Sequence, residues 1–322
     1  MKNIVIIGGG TGTFTLLSGL RKFPTNNSVI VSSADDGGST GRLRKELDVF
    51  PPGDLRQCLL GLSYTEKETQ DLFAYRFEKG ELQGHTVGNI IIAALSKTLG
   101  GVESAIKQAS KMLNVRGEVV PVTLFPTKLS ATLNNGKTVV GEHNIDEPKI
   151  KSRPAIKSLQ LSPSAPANKR VLRSLERADV IVLGPGDLFT SILPNLLVKG
   201  VSEAIAKSKA KKVLVVNLMT KKGQTDNFTA ADFVNTVNKY LGKAKLDTVI
   251  INNKKPAVNI LAKYKKEGAK LIAAEGVKKL KIKAIAKDLL SKNVFGKVNG
   301  DSLKRSYLRH DPDKLAKIIY EL

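Results

Sequence analysis

Short hydrophobic runs recur along the chain, and several of them lead directly into glycines, hydroxyl groups or carboxylates. Residues 3–7 form an apolar run rich in β-branched side chains, which opens into the glycine-rich segment 8–13. Residues 14–20 then have the apolar spacing of a helix. The same exit into polar residues and glycines follows three further apolar runs, at 29–31, 180–183 and 213–216. This alternation predicts an α/β fold, a Rossmann-like three-layer core built on a parallel sheet.

The rest of the pattern continues the alternation and interrupts it once. Further predicted strands lie at 156–161, 249–252 and 271–273, and further predicted helices at 55–62, 72–77, 90–99, 168–178, 229–241, 260–264 and 313–322. Asn134-Asn135-Gly136 separates two apolar runs and is the strongest hairpin signal in the chain. We therefore predict a single domain over residues 1–322, with a helical and hairpin region inserted at roughly 50–150.

Composition narrows the class of protein. Of the 322 residues, 41% are hydrophobic and 25% are charged, which is typical of a globular protein. No stretch approaches the roughly 18 apolar residues of a spanning helix, and the apolar start lacks the flanks of a secretory signal. Cys58 is the only cysteine and the three histidines are scattered, which argues against a zinc site. We expect a cytoplasmic protein without a membrane span or an intramolecular disulfide.

The net charge of +23 is unevenly distributed. Residues 1–150 carry 17 Lys and Arg against 15 Asp and Glu, so residues 151–322 carry 35 of the 52 basic and 14 of the 29 acidic side chains. A basic half attracts nucleic acid in principle, but these lysines are dispersed through predicted helical segments such as 206–212 and 278–283. Only 5% of residues are aromatic, so the stacking side chains of a single-strand-binding surface are lacking. We expect a solvated lysine-rich face and no specific nucleic-acid partner.

The glycine-rich segment after the first strand points to an anionic ligand. Glycines let the backbone approach a ligand closely, and the N–H groups at a helix start favour phosphate. The match to G-x-G-x-x-G is partial, because Gly8 and Gly10 fit but Thr13 replaces the third small residue. A tight turn between a buried strand and a helix explains the same glycines without a ligand.

Two adjacent carboxylates follow the second strand. Asp35 and Asp36 lie where a Rossmann-like unit places the acidic residue that binds a ribose. They are equally suited to hold a divalent cation such as Mg²⁺, or to cap the Asp-Gly turn that follows. The segment 37–42 combines glycines, hydroxyl groups and an arginine into a second anion cradle facing the first.

The end of the chain contributes one further candidate. Asp311 is placed to cap the last helix, and Pro312 suits the first position of that helix. Arg309 is therefore held on a short, constrained segment, from which its guanidinium can donate two parallel hydrogen bonds to a diphosphate. A surface ion pair is the alternative.

Taken together, the motifs resemble the YvcK family, also called the gluconeogenesis factor family, within the larger CofD-like superfamily. The resemblance covers nearly the whole chain and rests on IGGGTG at 7–12, ADDGGSTGR at 34–42, PPGD at 51–54, GHTVGN at 84–89, LNVRG at 113–117, GPGDLFTSI at 184–192, NLMT at 217–220 and RHDP at 309–312. It implies a cytoplasmic Rossmann-like protein that binds a uridine-diphosphate sugar, chiefly UDP-N-acetylglucosamine. It also implies a role in cell-wall synthesis and cell shape during growth on gluconeogenic carbon sources.

The resemblance leaves a second function open. The relative that names the superfamily transfers a 2-phospholactate group onto a deazaflavin precursor with a divalent cation, so a Mg²⁺-dependent phospho-group transferase is the alternative. An NAD-like dinucleotide is a further candidate ligand. Asp187 lies where related sequences usually have serine, and Phe189 where tyrosine is common. The loop around them therefore contacts either phosphate or sugar hydroxyls.

These considerations define the candidate site. The ligand-binding candidates are Gly8, Gly9, Gly10, Thr11, Gly12, Asp35, Asp36, Gly37, Gly38, Ser39, Asn89, Gly184, Gly186, Thr190, Ser191, Asn217, Thr220, Tyr264 and Arg309. No catalytic residue is assigned, and a metal ion, if one binds, is expected at Asp35 or Asp36. Cell-wall synthesis or regulatory proteins and a second copy of the chain are candidate partners.

Overall fold

The backbone is organised around a seven-stranded parallel sheet in a computed structural model that describes residues 1–148, 152–296 and 306–322. Strands β1 to β10 lie at Lys2–Ile7, Thr25–Val31, Glu118–Pro121, Lys128–Leu133, Thr138–Val140, Ile156–Ser162, Val180–Leu183, Lys211–Val215, Thr248–Asn252 and Lys283–Lys287. The large sheet has the order β10-β9-β8-β7-β1-β2-β3, and every pairing within it is parallel. Strands β5, β4 and β6 form a small antiparallel sheet.

Helices cover both faces of the large sheet. Helices α1 to α13 lie at Gly10–Leu20, Gly38–Leu47, Pro52–Gly61, Lys67–Ala74, Val87–Thr98, Val102–Met112, Glu142–Asp146, Lys169–Arg177, Leu193–Leu196, Val201–Lys207, Ala230–Leu241, Val258–Lys266 and Pro312–Glu321. A π turn at Leu188–Ile192 and a 3-10 turn at Val277–Leu280 complete the short elements. No helix among these is long and apolar enough to cross a membrane, as far as residues 1–148, 152–296 and 306–322 are concerned.

The continuous apolar runs of the central strands reflect burial on both faces. Ile4 and Ile6 of β1 pack into one hydrophobic cluster with side chains of α1, α3 and α13. Val5 and Ile7 point to the opposite face and pack with side chains of α8, α10, α11 and the small sheet. Parallel strands covered on both sides read as uninterrupted hydrophobic sequence, which is why these strands could be predicted. The predicted α/β fold with a three-layer parallel core is confirmed.

Several local predictions were wrong. Segment 8–13 was predicted as a glycine-rich turn before a helix from residue 14, but helix α1 begins at Gly10, and most of the anion cradle predicted at 37–42 lies in helix α2, which begins at Gly38. Residues 271–273 do not form a strand, since Leu271 makes only an isolated bridge with Met219. Lys283–Lys287 forms the edge strand instead, although its mostly exposed lysines gave a helical pattern. The helix predicted to be buried at 90–99 begins at Val87 and buries only one of its sides, although its sequence is mostly apolar.

The region at roughly 50–150, predicted as an insertion, contains helices α3 to α7 and the predicted hairpin, and it also supplies β3, which pairs with β2 in the large sheet. Strands β4 and β5 confirm the turn signal at 134–136. Strand β6, predicted at 156–161, pairs with β4 and so belongs to the small sheet rather than the large one. The predicted boundary near 150 falls within 149–151, which lies outside the described residues. Through helix α7, at the end of the hairpin, this region reaches the carboxyl edge of the large sheet.

The first and last helices pack tightly at one glycine. A Cβ atom on Gly19 of α1 would lie 2.1 Å from the backbone oxygen of Pro312 and 2.8 Å from the Cβ of Ala316, both in α13. Pro312 is the first residue of its helix, where the Asp311 side chain accepts hydrogen bonds from the N–H groups of Asp313 and Lys314. The predicted capping of the last helix is thereby confirmed, and the cap fixes α13 against α1.

We expect Gly19→Ala to destabilise the folded protein by about 1–3 kcal/mol, because the added methyl group forces α1 and α13 apart. Ser18→Ala, at the preceding position of the same helix, is the control, since it adds no atom to this contact. Urea unfolding of both variants measures the free energies. Equal stability of the two variants would show that the helices separate at no cost.

Candidate functional site

A cleft opens where the exits of strands β1 and β7 lie side by side. These two strands pair directly, while the chain continues toward β2 on one side and toward β8 on the other. Open parallel sheets bind ligands at such a switch point, outside the carboxyl ends of the strands. The cleft has a volume of about 550 Å³, and its lining includes residues from the exits of β1, β2, β7 and β8.

The glycines after β1 and β7 allow these two exits to touch. A Cβ atom on Gly12 would lie 2.5 Å from the backbone oxygen of Pro185, and Gly184 has a φ of +83°. A Cβ on Gly9 would lie 1.9 Å from the carboxylate of Asp54, so that side chain also packs against the start of α1. Gly9 is the N-cap residue of α1 and has no side chain with which to cap the helix by a hydrogen bond. Glycine is therefore required here by close packing, in addition to any ligand.

The loop after β7 is closed by its own backbone. The N–H groups of Ser191 and Ile192 both donate to the carbonyl of Asp187, at 2.8 and 3.1 Å, as the chain enters the π turn. Phe189 lies in the core with 2% of its surface exposed, and its ring packs edge-on against Phe228. Its phenyl ring, in place of tyrosine, thus serves packing and does not face the cleft.

Lys221 joins two carboxylates on the floor of the cleft. Its Nζ lies 2.6 Å from Oδ1 of Asp146 and 2.8 Å from Oδ2 of Asp187. Burial alone would lower the pKa of Lys221, but Asp187 and Asp146 raise it above its usual value. Burial acts to raise the pKa of Asp146, yet Lys221 and the hydrogen bonds from Gln224 and Thr190 hold it below the usual value. Asp187, unexpected in a phosphate loop, is therefore one partner of an ion pair.

Asp35 and Glu142 form a second acidic group beside this ion pair, and both line the cleft. Burial raises the pKa of Asp35 to about 6, against the opposing effect of the Gly37 N–H group, which donates to Oδ1 at 3.0 Å. Burial and then the charge of Asp35 raise the pKa of Glu142 well above its usual value. This end of the cleft thus holds carboxyl groups that ionise with difficulty.

Asp36 has a different role from its neighbour. Its Oδ1 accepts a hydrogen bond from the backbone N–H of His143 at 2.7 Å, in the first turn of helix α7, and Asp36 does not line the cleft. Of the three interpretations of the Asp pair, capping of the Asp-Gly turn describes Asp35, whose Oδ1 accepts from the Gly37 N–H, while Asp36 caps helix α7. Asp35 also lines the cleft, where the ribose and cation interpretations still apply to it.

The carboxylates do not by themselves form a metal centre. Within residues 1–148, 152–296 and 306–322, no group of three or more His, Cys, Asp and Glu side chains is arranged to hold a metal ion. Mg²⁺ commonly takes only one or two protein carboxylates and completes its shell with phosphate and water. The arrangement therefore supplies, at most, a partial ligand set at Asp35 and Glu142.

Thirteen of the predicted site residues line the cleft, and six do not. Those in the lining are Gly9, Gly10, Thr11, Gly12, Asp35, Gly37, Gly186, Thr190, Ser191, Asn217, Thr220, Tyr264 and Arg309. Those outside it are Gly8, Asp36, Gly38, Ser39, Asn89 and Gly184. Ser39 and Asn89 belong to a buried network, in which the Asn89 amide donates to Ser39 Oγ at 3.0 Å and Arg56 donates to the Asn89 oxygen at 2.9 Å. This network holds the first turn of α2 in place behind the residues that line the cleft.

One wall of the cleft comes from the C-terminal third of the chain, between the end of β8 and the start of α13. The Tyr264 hydroxyl accepts a hydrogen bond from the backbone N–H of Leu308 at 3.0 Å, and the Thr220 hydroxyl accepts one from the N–H of Lys270 at 2.8 Å. The guanidinium of Arg309 lies over the ring of Phe295, 3.7 Å from its centroid. Tyr264 and Thr220 thus hold segments in place as well as lining the cleft.

The sequence interpretation missed four lining residues that shape the electrostatics. Glu142 and Asp146 come from the inserted region, Lys221 follows a predicted strand exit by one turn, and His310 precedes the last helix. No spacing rule connects them, because they meet only through the packing of α7 on the π turn and of the C-terminal segment on β8. The adjacency of His310 to Arg309 was the one available signal.

Comparison with known proteins places this geometry in a family. The model of the family described as 2-phospho-L-lactate transferase CofD matches residues 4–290. The protein named gluconeogenesis factor from Bacillus subtilis is 40% identical over 322 residues, covering 99% of this chain and 97% of its own. The protein of the same name from Halalkalibacterium halodurans is also 40% identical, with 99% and 96% covered. The crystal structure of a UPF0052 family protein from Bacillus halodurans superposes with a TM-score of 0.91 at 38% identity, covering 99% of this chain and 98% of that one.

We expect Asp35→Asn to raise the melting temperature at pH 8 and to raise it by clearly less near pH 5. A carboxyl group whose pKa is raised on folding favours the folded state below its unfolded pKa and loses that contribution as the pH rises through about 6. Above that pH the buried charge is a cost that the amide does not carry, while the amide oxygen still accepts from Gly37. Differential scanning calorimetry at both pH values tests this.

Asp71→Asn is the control, because Asp71 is exposed and its neighbour Lys67 is one helical turn away. It should show no gain that depends on pH. A gain for Asp35→Asn of the same size at pH 5 and pH 8 would contradict the role assigned to burial of its charge.

Proposed function

We propose a function from one premise: this chain belongs to the CofD family and, within it, to the YvcK group, whose members are named gluconeogenesis factor. The protein binds a nucleotide sugar, chiefly UDP-N-acetylglucosamine, in the cleft between the exits of β1 and β7. It acts in the cytoplasm as a regulatory protein that supports cell-wall synthesis and cell shape on gluconeogenic carbon sources. Binding is sufficient for this role.

The observation that carries the proposal is the meeting of two glycine-rich strand exits in one cleft. Backbone N–H groups at the start of a helix and in such loops favour phosphate oxygens. The cleft of about 550 Å³ has the size of an ordinary small-molecule site. Lys222 and Arg309 bring positive charge to its lining, whereas the charge of Lys221 is already paired with Asp146 and Asp187.

The distribution of charge indicates how such a ligand is accommodated. The acidic end of the cleft, with Asp35, Glu142 and the ion-paired Asp187, offers a diphosphate no free positive charge, so the diphosphate belongs on the side of Gly12, Gly186 and Arg309. Carboxylates are good acceptors for hydroxyl groups, and the acidic end therefore suits the sugar. In this arrangement the loop after β7 serves both parts of the ligand. Its glycines face the phosphates, and its aspartate takes part in the ion pair that lies beneath the sugar.

A Mg²⁺-dependent phospho-group transferase is the second candidate function. The description of the family model and the two carboxyl groups of Asp35 and Glu142 in the cleft favour it. The part of the chain that the structure describes assembles no group of three protein ligands, so a Mg²⁺ ion would depend on phosphate and water for the rest of its shell. We therefore derive no step through a metal, and magnesium enters as a variable of the binding experiment.

We expect UDP-N-acetylglucosamine to bind one site per chain and to raise the melting temperature. Ligand binding to the folded state alone stabilises it by about 2.7 kcal/mol at a hundredfold excess over the dissociation constant. Calorimetric titration with the sugar nucleotide and with NAD, each with magnesium and with a chelator, makes the comparison. NAD should bind more weakly, and the chelator should leave the sugar nucleotide bound.

Two results would decide against this assignment. The absence of both binding heat and a melting shift at millimolar UDP-N-acetylglucosamine would rule out this ligand. Binding that disappears with the chelator would favour the magnesium-dependent alternative.

We expect Arg309→Ala to lower the affinity for the sugar nucleotide by about 2–4 kcal/mol, as for the loss of a charge-assisted hydrogen bond to a sheltered anion. Arg309→Lys should recover only part of this, because a single ammonium group cannot reproduce the planar guanidinium. Titration calorimetry measures both affinities.

The matched control is Arg170→Ala on helix α8. Arg170 is ion-paired with Glu118 at the opposite edge of the sheet, and its loss should leave the affinity unchanged. Unaltered affinity in Arg309→Ala would return this arginine to a structural role over Phe295.

A further inference from the structure

Two hydrogen-bond acceptors are buried in the lining beside the end of strand β8. Nε2 of His310 and Oδ1 of Asn217 are both screened from solvent, and neither has a hydrogen-bond partner among the residues that the structure describes. Both residues line the cleft, and only 6% of His310 is exposed. Buried polar atoms in native proteins are nearly always paired, so each of these two requires an explanation.

The His310 ring is held in one orientation and in one protonation state. The backbone N–H of Asp311 donates to Leu289 at 2.7 Å, and His310 itself bridges to Leu290, which fixes the segment. The backbone carbonyl of Val216 accepts a hydrogen bond from the ring, while burial lowers the pKa of His310 to about 4. Because Nε2 has no partner, the nitrogen that donates to Val216 is Nδ1, and the ring proton therefore lies on Nδ1. Nε2 therefore offers a lone pair and no proton.

An apolar wall adjoins the two acceptors. Leu218, Tyr264, Ala269 and Leu308 are buried together in one hydrophobic cluster, and all four line the cleft. Asn217 directly precedes Leu218, and His310 lies two residues after Leu308. A flat, mostly apolar group with one polar edge would satisfy both features, since its face contacts the wall and its edge reaches the acceptors.

The heteroaromatic base of a nucleotide is such a group, but the bases differ at the relevant edge. Uracil carries an N3–H donor between two carbonyl groups, whereas N3 of cytosine is an acceptor. Two acceptors facing each other leave both unpaired in a dry site, which is the situation that gives strong discrimination between analogues. The amide of Asn217 can present either its oxygen or, after a half-turn, its nitrogen, and so complements a neighbouring carbonyl.

We infer that His310 determines base specificity in this cleft by accepting a hydrogen bond from the imide N–H of the base. Uracil is accepted and cytosine is rejected, with Asn217 facing the adjoining carbonyl and the Leu218–Leu308 side contacting the ring. This inference rests on the proposed function and assigns the base end of the ligand to the wall after β8. The diphosphate then extends toward the glycines, and the sugar toward Asp35 and Glu142.

The first test requires no variant. We expect the wild-type chain to bind UDP on the order of 10- to 100-fold more tightly than CDP in titration calorimetry, because the two nucleotides differ only at this edge of the base. Equal affinity for UDP and CDP would overturn the inference.

Variants then locate the preference. His310→Phe keeps a ring but removes the acceptor, so it should lower the affinity for UDP and bring the UDP-to-CDP ratio close to one. His310→Gln restores an acceptor and should recover part of the preference, and it replaces the phenylalanine variant if that chain does not fold. His85→Gln is the control, since His85 is a buried histidine bonded to Ser39 outside the cleft lining. It should leave the ratio unchanged.

The outcomes separate this inference from the proposed function. Loss of the same factor for UDP and CDP in the His310 variants would show that the histidine contacts another part of the ligand, while binding of UDP-N-acetylglucosamine still stands. A preference for UDP over CDP without binding of UDP-N-acetylglucosamine would refute the proposed function and leave the base assignment intact.

Discussion

The contact between Gly12 and the carbonyl of Pro185 is the constraint on which the site depends. It joins the exits of the two central strands so closely that no side chain fits between them. The register of β1 with β7 places these exits level with each other, because Ile7 pairs with Leu183 at the last position of both strands. The cleft exists because the sheet reverses its direction of growth at this pair. Everything else in the lining is arranged around that fixed junction.

Charge is balanced in the cleft by elements that are distant in the sequence. The inserted region contributes Asp146, the loop after β7 contributes Asp187, and the segment after β8 contributes Lys221, which holds both carboxylates. Removal of Lys221 would leave two carboxylates without a counter-charge in a sheltered place, which is far more costly than loss of an exposed pair, whereas removal of either aspartate would leave the lysine paired with the other. The end of helix α7 is thus tied to the core electrostatically, by the same ion pairs that lie beside the acidic end of the cleft.

The sequence predicts what is encoded locally. The central strands β1, β2, β7, β8 and β9 could be recognised because burial on both faces gives each of them an apolar run, although β2 and β8 begin with polar residues. The glycine segments could be recognised because each directly follows a strand. Strand β10 could not, since it is a mostly exposed edge strand with a lysine at each end and three apolar residues between them, a pattern that also suits a helix. Helix α2 was hidden by its glycines. The ion pairs of Lys221 and the orientation of His310 have no local signature at all, since they arise from contacts over 34 to 94 positions.

The packing of α13 on α1 has a consequence for the order in which the molecule is made. Helix α1 follows the central strand and is synthesised well before the helix that packs on it and before the Arg309–His310 pair that completes the cleft. Until residues 309–321 have left the exit tunnel, the apolar side of α1 is covered by α3 but not by α13, and the cleft lacks one wall. Such long-range closure slows folding and leaves the nascent chain dependent on other means of shielding that face. A ligand can therefore stabilise only the finished molecule and cannot guide its early folding.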